Sequence, residues 1–298
     1  MKGKIKSQNA LYSRFFRQVI LFFIVNLSIL SSTSYGLVVM LDPGHGGADS
    51  GAIRSGVKEA EIAYSTCQQL ASALSEIPGI TTYITRSKNQ NMSLEKRVDL
   101  FEREKADILI SVHVNASPNT AASGVEMYIQ NQLPPDEEAI LIAHRENELS
   151  NENEDLKGEL RPPKGELGNG ELRPHKKNKS ERRARSQSSS NNEVDHILWD
   201  LKHQTKMKRS FKFSQIIWQH WVDQNLYASE VHKKRNAIRQ APFYVLSNAN
   251  KPAILLEIGY LSHVEEGRLL IQNDYQKKIA HCLAQSIKEY KDLIDKSL

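Results

Sequence analysis

Three side chains that could carry metal and acid–base chemistry stand near the ends of apolar segments far apart in this sequence. His45 follows the apolar run LVVML, His113 follows the run ILISV, and Glu257 lies within the apolar segment 252–260. A carboxylate in such a segment is costly to desolvate unless a cation or hydrogen bonds compensate for it. Two imidazoles with carboxylates are typical donors of a catalytic zinc site. The residue types therefore predict a metal centre with a carboxylate facing it.

The segments between these residues alternate between strand and helix character. The predicted strands are 37–42, 80–85, 107–113, 124–130, 242–247 and 253–260, and the predicted helices are 59–77, 93–105, 264–272 and 275–292. This alternation predicts an α/β fold with a mostly parallel central sheet of about six strands flanked by helices. Open α/β sheets bind ligands at the carboxyl ends of their strands. His45, His113 and Glu257 all lie at that edge, so the fold would bring them together.

Glu59 completes the predicted ligand set. It opens the helix that follows a glycine-rich loop beginning at His45, so both residues start from the same edge of the sheet. Glu61 is the competing carboxylate, but two residues along a helix it points about 200° away. His45, Glu59 and His113 would leave one position of a tetrahedral zinc ion open, which is the pattern of catalytic sites. No HExxH sequence occurs, which argues against a thermolysin-like arrangement.

Two aspartates beside His45 leave an alternative open. Asp42 and Asp49 are both possible oxygen ligands, and Asp42 is interpreted as the residue that orients a ligand from behind. Glu257 is the predicted general base, which takes a proton from the water that zinc activates. A lone histidine at a strand end more often makes a structural hydrogen bond, so the prediction depends on convergence of the whole set.

Composition narrows the class of protein. A length of 298 residues suits one large α/β domain or two small ones. The net charge of +5 comes largely from the N-terminus and from 176–185, and it fits an anionic polymer such as a cell wall, a membrane surface or nucleic acid. No nucleic-acid motif accompanies it, so nucleic acid is not an expected partner. Cys67 and Cys282 are interpreted as buried apolar residues, with a disulfide of an exported protein as the alternative.

Residues 1–36 have the pattern of an export signal peptide. Basic residues between Lys2 and Arg17 precede an apolar stretch from Val19 to Leu30, and small residues follow it. The apolar stretch is short for a membrane span, although an uncleaved anchor is the alternative. We therefore expect an exported protein of the periplasm or cell envelope, or a secreted one, whose catalytic domain is 37–298.

The segment 131–194 interrupts the predicted domain. Residues 136–149 could form a helix, whereas 150–194 are polar and of low complexity. Such a stretch cannot bury enough apolar area to offset its ordering entropy, so it is predicted to be disordered. Order is predicted to return at Val194, in a long helix to about Asn225. The segment is interpreted as an excursion from a surface loop, and a passively tolerated insertion is one interpretation of its role.

Several motifs together resemble the zinc-dependent N-acetylmuramoyl-L-alanine amidases of the type-3 family, which are bacterial cell-wall hydrolases. The resemblance covers about 38–131 and 195–292, in order. The motifs are DPGHGG at 42–47, DSGA at 49–52, KE at 58–59, SLEKRV at 93–98, ADILISVHVNA at 106–116, GVEMY at 124–128, QAPFYVL at 240–246 and PAILLEIGYLS at 252–262. Val114 and His263 depart from the usual residues of these motifs.

The resemblance implies a role for each candidate residue. Zinc would be bound by His45, Glu59 and His113, and Glu257 would be the catalytic glutamate. The implied reaction is hydrolysis of the peptidoglycan amide between N-acetylmuramic acid and L-alanine, in cell separation or wall remodelling.

The resemblance also implies a role for the insertion. Division-associated members carry a helix that blocks the zinc site until an activator protein displaces it. Residues 135–149 resemble that helix, with Glu146 as the candidate inhibitory ligand and Glu148 as the less favoured one. The apolar face of 197–221 would then be the surface that meets an activator.

Two rival functions remain open at this point. Another zinc amidohydrolase, such as a peptidase or a deacetylase, would use the same donors on a different substrate. A non-catalytic wall-binding regulator would need neither zinc nor Glu257, and the presence of all four site residues argues against it.

Overall fold

A computed structural model describes residues 36–130, 137–149, 179–226 and 237–296. The predicted signal peptide 1–36 lies almost wholly outside the described residues, and so do 131–136 and 150–178 of the insertion. Among the described residues, no helix combines the length and apolarity that crossing a membrane requires. The strands are β1 Leu37–Pro43, β2 Ile53–Arg54, β3 Val57–Lys58, β4 Ile80–Ile84, β5 Ile108–Asn115, β6 Glu126–Ile129, β7 Ile238–Gln240 and β8 Ala253–Tyr260. The helices are α1 Glu59–Ser75, α2 Leu94–Arg103, α3 Glu137–Leu149, α4 Lys179–Asp223, α5 Tyr244–Asn248, α6 Val264–Leu270 and α7 Asn273–Asp295.

Six strands form the central sheet in the order β4-β1-β5-β8-β6-β7. The pairs β4–β1, β1–β5 and β5–β8 are parallel, whereas β6 runs antiparallel to β8 and β7 runs parallel to β6. The predicted α/β fold with a mostly parallel sheet of about six strands is therefore confirmed. The parallel strands end at a common edge, which is where an open α/β sheet places its ligands.

Alternate residues of the central strands pack on opposite faces of the sheet, as the two-residue period of a strand requires. On one face, Leu41, Val112 and Leu256 pack in the core that includes side chains of α1, α4 and α7. On the other face, Met40 and Leu255 pack with side chains of α2, α3 and α5. Both faces are covered, which explains why the parallel strands are continuously apolar in sequence. Two residues further along each strand, the same face carries polar side chains at the carboxyl edge, among them His113 and Glu257.

The predicted strand at 242–247 is wrong. The structure has the short helix α5 there, and the edge strand β7 lies earlier in the chain. Pro242 explains the error, because proline lacks the N–H that a strand ladder needs. Apolar residues of this segment are buried all the same: Phe243 and Leu246 pack beneath α2 and α3, and this burial produced the strand-like pattern.

The start of the long helix and the state of the two cysteines were also predicted from the sequence. Helix α4 begins at Lys179, so it starts fifteen residues before the predicted Val194, and the polar residues 179–194 are helical rather than disordered. The first part of this stretch, 181–185, consists of Glu, Arg and Ala, which have high helix propensity. The preferred interpretation of the cysteines is confirmed, since Cys67 and Cys282 are both buried as free thiols.

Candidate metal centre

The loop after β1 presents His45 to the sheet edge in an unusual backbone conformation. His45 has φ of 56°, in the left-handed region that residues with a Cβ rarely adopt. Gly44 precedes it, and a Cβ at Gly44 would lie 2.4 Å from the His113 ring. A glycine is therefore required there, because only a bare backbone lets the two imidazoles approach. Their ring centroids lie 5.0 Å apart in an edge-to-face arrangement.

Four side chains converge at this point. Nε2 of His45 lies 3.0 Å from Oε1 of Glu59 and 3.1 Å from Oε2 of Glu146. Nδ1 of His113 lies 3.2 Å from the same Glu59 oxygen and 3.3 Å from the same Glu146 oxygen. Both histidines and both glutamates are buried. The structure thus brings together the three predicted ligands and one of the two candidate inhibitory glutamates.

These distances suit a shared metal ion, and the ligand atoms of His45, Glu59 and His113 all lie within 4.8 Å of one another. Zinc–ligand bonds of about 2.0–2.1 Å set neighbouring donor atoms about 3.3 Å apart, close to the four spacings in this cluster. Nε2 of His45 has no hydrogen-bond partner of normal geometry among the described residues, although two carboxylate oxygens lie within 3.1 Å. A nitrogen that faces two carboxylates without bonding either of them is the arrangement expected of a shared metal ligand. The donor set of two imidazoles and carboxylates is also that of zinc.

The electrostatics of the cluster fit a cation as well. Burial alone would lower the pKa of both histidines. The Glu59 charge and a hydrogen bond to Asp49 instead raise the pKa of His45 well above its ordinary value. Hydrogen bonds to Glu146 and Glu59 raise the pKa of His113 to about 9. The carboxylates therefore demand positive charge between them, which either two protons or one dication can supply.

Glu59 is held from two sides. Backbone N–H groups of Ala52 and Val114 donate to its two oxygens, each at 2.9 Å. Burial would raise the pKa of Glu59, but the nearby charge of His45 and the hydrogen bond with His113 lower it to about 2. Glu61, the rejected alternative, is exposed on the other side of α1. The N-terminus of α1 thus presents one carboxylate in a fixed orientation.

Asp49, rather than Asp42, orients His45. Oδ2 of Asp49 lies 2.8 Å from Nδ1 of His45, which leaves Nε2 directed into the cluster. Carboxylate–histidine pairs of this kind fix the ring and increase its basicity toward a metal. Asp42, interpreted from the sequence as a residue that orients a ligand, does not bond a histidine ring and instead accepts hydrogen bonds from Thr85, Ser111 and Arg97. The two aspartates are only seven residues apart, and their spacing does not reveal which one the loop turns towards His45.

Glu257 faces the cluster from the next strand. It is the register partner of His113 on β5 and of Glu126 on β6, so all three side chains lie on the same face of the sheet. Glu257 is 1 % exposed, and neither of its oxygens has a hydrogen-bond partner among the described residues. Burial raises the pKa of Glu257 well above its ordinary value, with His113 opposing the rise and Glu59 adding to it. A buried carboxylate with a raised pKa is a candidate for proton exchange.

Sequence reasoning missed a second buried carboxylate, Glu126, which lies opposite Glu257 on the neighbouring strand β6. Glu126 accepts a hydrogen bond from the Tyr128 hydroxyl at 2.7 Å, and Nη1 of Arg239 lies 3.2 Å from its other oxygen. Nδ2 of Asn115 also donates to Glu126, at 3.4 Å. The signal was present, since a glutamate alternates with apolar residues in the strand of the GVEMY motif.

The two candidate inhibitory glutamates point in different directions. Glu146 is 6 % exposed and reaches both histidines, as described above. Glu148 has a side chain that is 66 % exposed and pairs with His144 on the outer face of α3. Two residues along a helix correspond to about 200°, so only one of them can face the site.

The fold and this cluster together define the class of protein: an α/β domain whose sheet carries, at its carboxyl edge, histidines and glutamates that could hold a metal ion. The particular family follows from comparison with known sequences. The family model of the N-acetylmuramoyl-L-alanine amidases matches residues 39–289, and the chain belongs to this family. The resemblance inferred from the motifs is therefore confirmed.

Individual relatives agree with this assignment. AmiA of Escherichia coli K12, an N-acetylmuramoyl-L-alanine amidase, is 28% identical over 257 residues, which are 85% of this chain and 75% of AmiA. AmiC of Escherichia coli O6:H1 is 26% identical over 256 residues, so this chain spans only 52% of the length of AmiC. The CwlD amidase of Clostridioides difficile, solved in complex with the GerS lipoprotein, shares the fold. Its TM-score is 0.54 at 18% identity, over 86% of this chain and 99% of CwlD.

Proposed function

We propose that this chain is an exported zinc-dependent hydrolase of peptidoglycan that cleaves the amide between N-acetylmuramic acid and L-alanine. The observation that carries the proposal is a cluster of four buried side chains, in which two histidine nitrogens lie 3.0–3.3 Å from two glutamate oxygens. Glu257 lies beside this cluster. His45, Glu59 and His113 would hold the metal. Family membership supports the choice of substrate, and the basic N-terminal pattern supports export to the periplasm or cell envelope.

Bound zinc would polarise the scissile carbonyl and lower the pKa of water, which is chemistry that the side chains alone cannot supply. Glu257 takes the proton from the attacking water and delivers it to the leaving amine of L-alanine. Its lack of other hydrogen-bond partners among the described residues supports this role, because neither oxygen is committed to the fold. Asp49 keeps the His45 ring in the orientation that the ligand needs.

We also propose that α3 holds the enzyme in a self-inhibited state. One carboxylate oxygen of Glu146 lies 3.1 Å from Nε2 of His45 and 3.3 Å from Nδ1 of His113, so it would exclude water and the substrate carbonyl from a metal bound there. The helix is fastened near this residue by Asn147, whose amide donates to Pro242 O at 3.2 Å and accepts from Tyr244 N at 3.0 Å. Arg145 adds a hydrogen bond to Ala116 O at 3.2 Å. These few polar contacts can be broken without unfolding the sheet.

An activator protein would release this helix. Exposed apolar side chains project from residues 197–201 of α4, and a partner could cover them. They are Ile197, Leu198, Trp199 and Leu201. That the amidase CwlD was solved in complex with a lipoprotein supports the idea that this fold accepts protein partners. The expected partners are therefore peptidoglycan and an activator of the exported compartment.

Product analysis on purified sacculi tests the reaction. Free stem peptides that begin with L-alanine are the expected products, and shortened peptides or deacetylated glycans would instead indicate a peptidase or a deacetylase. Glu257→Ala is the matched control, since it should bind zinc and release no peptide. Release of stem peptides at the normal rate by this variant would contradict the proposed mechanism.

A further inference from the structure

A buried arginine lies behind the loop that carries His45. Arg97, on α2, is 2 % exposed and uses its whole guanidinium group on this loop and the segment before α2. Nη2 donates to the His45 carbonyl at 2.7 Å, and Nη1 donates to the Pro43 carbonyl at 2.8 Å. Nε donates to the Met92 carbonyl at 3.1 Å. The planar, five-donor geometry of arginine permits this set of bonds, and lysine could not reproduce it.

The charge of Arg97 is compensated within the same network. Nη1 also lies 2.6 Å from Oδ1 of Asp42, and both side chains are almost fully buried. Thr85 and Ser111 donate to the same carboxylate. A buried ion pair whose members are fully hydrogen-bonded gives a rigid support, although it adds little to stability compared with apolar packing. Asp42 therefore has a reason to be buried that is separate from metal binding.

The position that Arg97 holds is one that the chain would not keep by itself. His45 is in the left-handed backbone region and is flanked by Gly44 and Gly46, so its local sequence offers many alternative conformations. Asp49 orients the imidazole ring and pairs by its backbone with Gly46. Arg86 donates to the carbonyls of Pro43 and Gly44. Arg97 adds the side-chain hydrogen bond to the carbonyl of His45 itself, from the α2 side.

We propose that Arg97 is a positioning residue of the metal centre: by binding the His45 carbonyl it pre-organises one metal ligand for coordination. The inference builds on the proposed zinc site and assigns a role to the SLEKRV motif, which the proposed mechanism leaves unused. A purely structural arginine would stabilise the fold without affecting metal affinity. The two roles are therefore separated by measuring zinc affinity and stability independently.

The experiment uses the full chain, freed of metal and titrated with zinc against a chelator of known affinity. Arg97→Lys retains a positive charge for Asp42 but cannot reach all the carbonyls at once. We expect its zinc dissociation constant to rise about 10- to 100-fold, the usual effect of removing a group that supports a metal ligand. The absorption spectrum of the cobalt-substituted variant should also change, because the ligand geometry is relaxed.

Lys206→Met is the matched control for a general loss of stability. Lys206 is a buried cation that donates to the carbonyls of Leu246 and Ala249, at 2.6 and 2.5 Å, away from the metal cluster. This variant should melt at a lower temperature in its metal-free form and bind zinc as tightly as the wild type. If Arg97→Lys behaves in the same way, Arg97 is structural and the inference is wrong.

A second variant keeps the test decisive if Arg97→Lys does not fold. The double substitution Asp42→Asn with Arg97→Gln removes both charges together, so neither is left buried and unpaired. It too should bind zinc at least about tenfold more weakly, and unchanged affinity would overturn the inference. If the wild-type chain itself binds no zinc, the proposed function fails, and that result is distinct from either outcome for Arg97.

Discussion

Two glutamates reach the same point of the molecule from regions of very different construction. Glu59 opens α1, a helix whose inner face is buried against the sheet and α7, and it receives two backbone hydrogen bonds. Glu146 lies on α3, where three of the side chains that the structure describes, Ala139, Ile142 and Ala143, join the core and Leu141 is 70 % exposed. Both carboxylates lie 3.0–3.3 Å from the same two nitrogens.

The difference in packing between these two helices suggests different roles for their glutamates. A ligand that is held by backbone hydrogen bonds on a packed helix cannot leave without disturbing the domain. A ligand on a helix with little buried area can leave at low cost, since local opening free energies follow the local packing. We infer that Glu59 is a permanent ligand and Glu146 a removable one, and four predictions test this contrast.

The largest effect is expected where a permanent ligand is removed. His113→Ala should abolish both zinc binding and activity, because the remaining donors no longer enclose the metal. Elemental analysis of the purified variant and release of stem peptides from sacculi measure the two losses. Full zinc occupancy in this variant would rule out the assigned ligand set.

The next largest effect concerns the general base. Glu257→Gln keeps the shape of the side chain but cannot accept a proton, so the rate should fall by at least ~10². Zinc content should stay near normal, which distinguishes this variant from the ligand variants. Activity within a few-fold of the wild type would mean that Glu257 is structural and that another group is the base.

Removal of the proposed inhibitory ligand should increase activity, in contrast to the two preceding substitutions. Glu146→Ala should raise activity in the absence of any partner by at least about fivefold, the lower end of a typical coupling between two sites. Glu148→Ala is the matched control on the same helix and should leave activity unchanged. Point substitution is cleaner than deletion of 131–194, because that deletion would remove the start of α4. If both variants work at the wild-type rate with full zinc, α3 is a passive cover.

The smallest effect is expected at the fastening of α3. Asn147→Ala removes two hydrogen bonds to the 242–244 segment. Because partly exposed hydrogen bonds lie near the lower end of the usual range, about 0.5 kcal/mol each, we expect activity to rise about two- to fivefold. His144→Ala, an exposed change on the same helix, serves as the control. Activity is measured on sacculi at equal zinc content. A fall in activity would show that the docked position of α3 helps catalysis rather than blocking it.

The local sequence already determined the strands that form the site edge. Continuous apolar runs predicted the buried parallel strands, and a glutamate within one of them marked Glu257 as a residue with a task beyond packing. The glycine-rich loop and the helix start predicted that His45 and Glu59 would begin from one edge. These are local signals, because strand period, glycine content and helix initiation depend on neighbours in sequence.

Tertiary structure alone decided which side chains meet. Asp49 rather than Asp42 supports His45, and Glu146 rather than Glu148 faces the cluster, although the members of each pair are close in sequence and alike in chemistry. The edge strand β7 and the replacement of the predicted 242–247 strand by α5 depend on where Pro242 falls relative to β6. Contacts between residues tens of positions apart settle these choices, as in the bond from Arg97 to the His45 carbonyl. Such contacts depend on the packing of whole elements, which residue type and spacing do not specify.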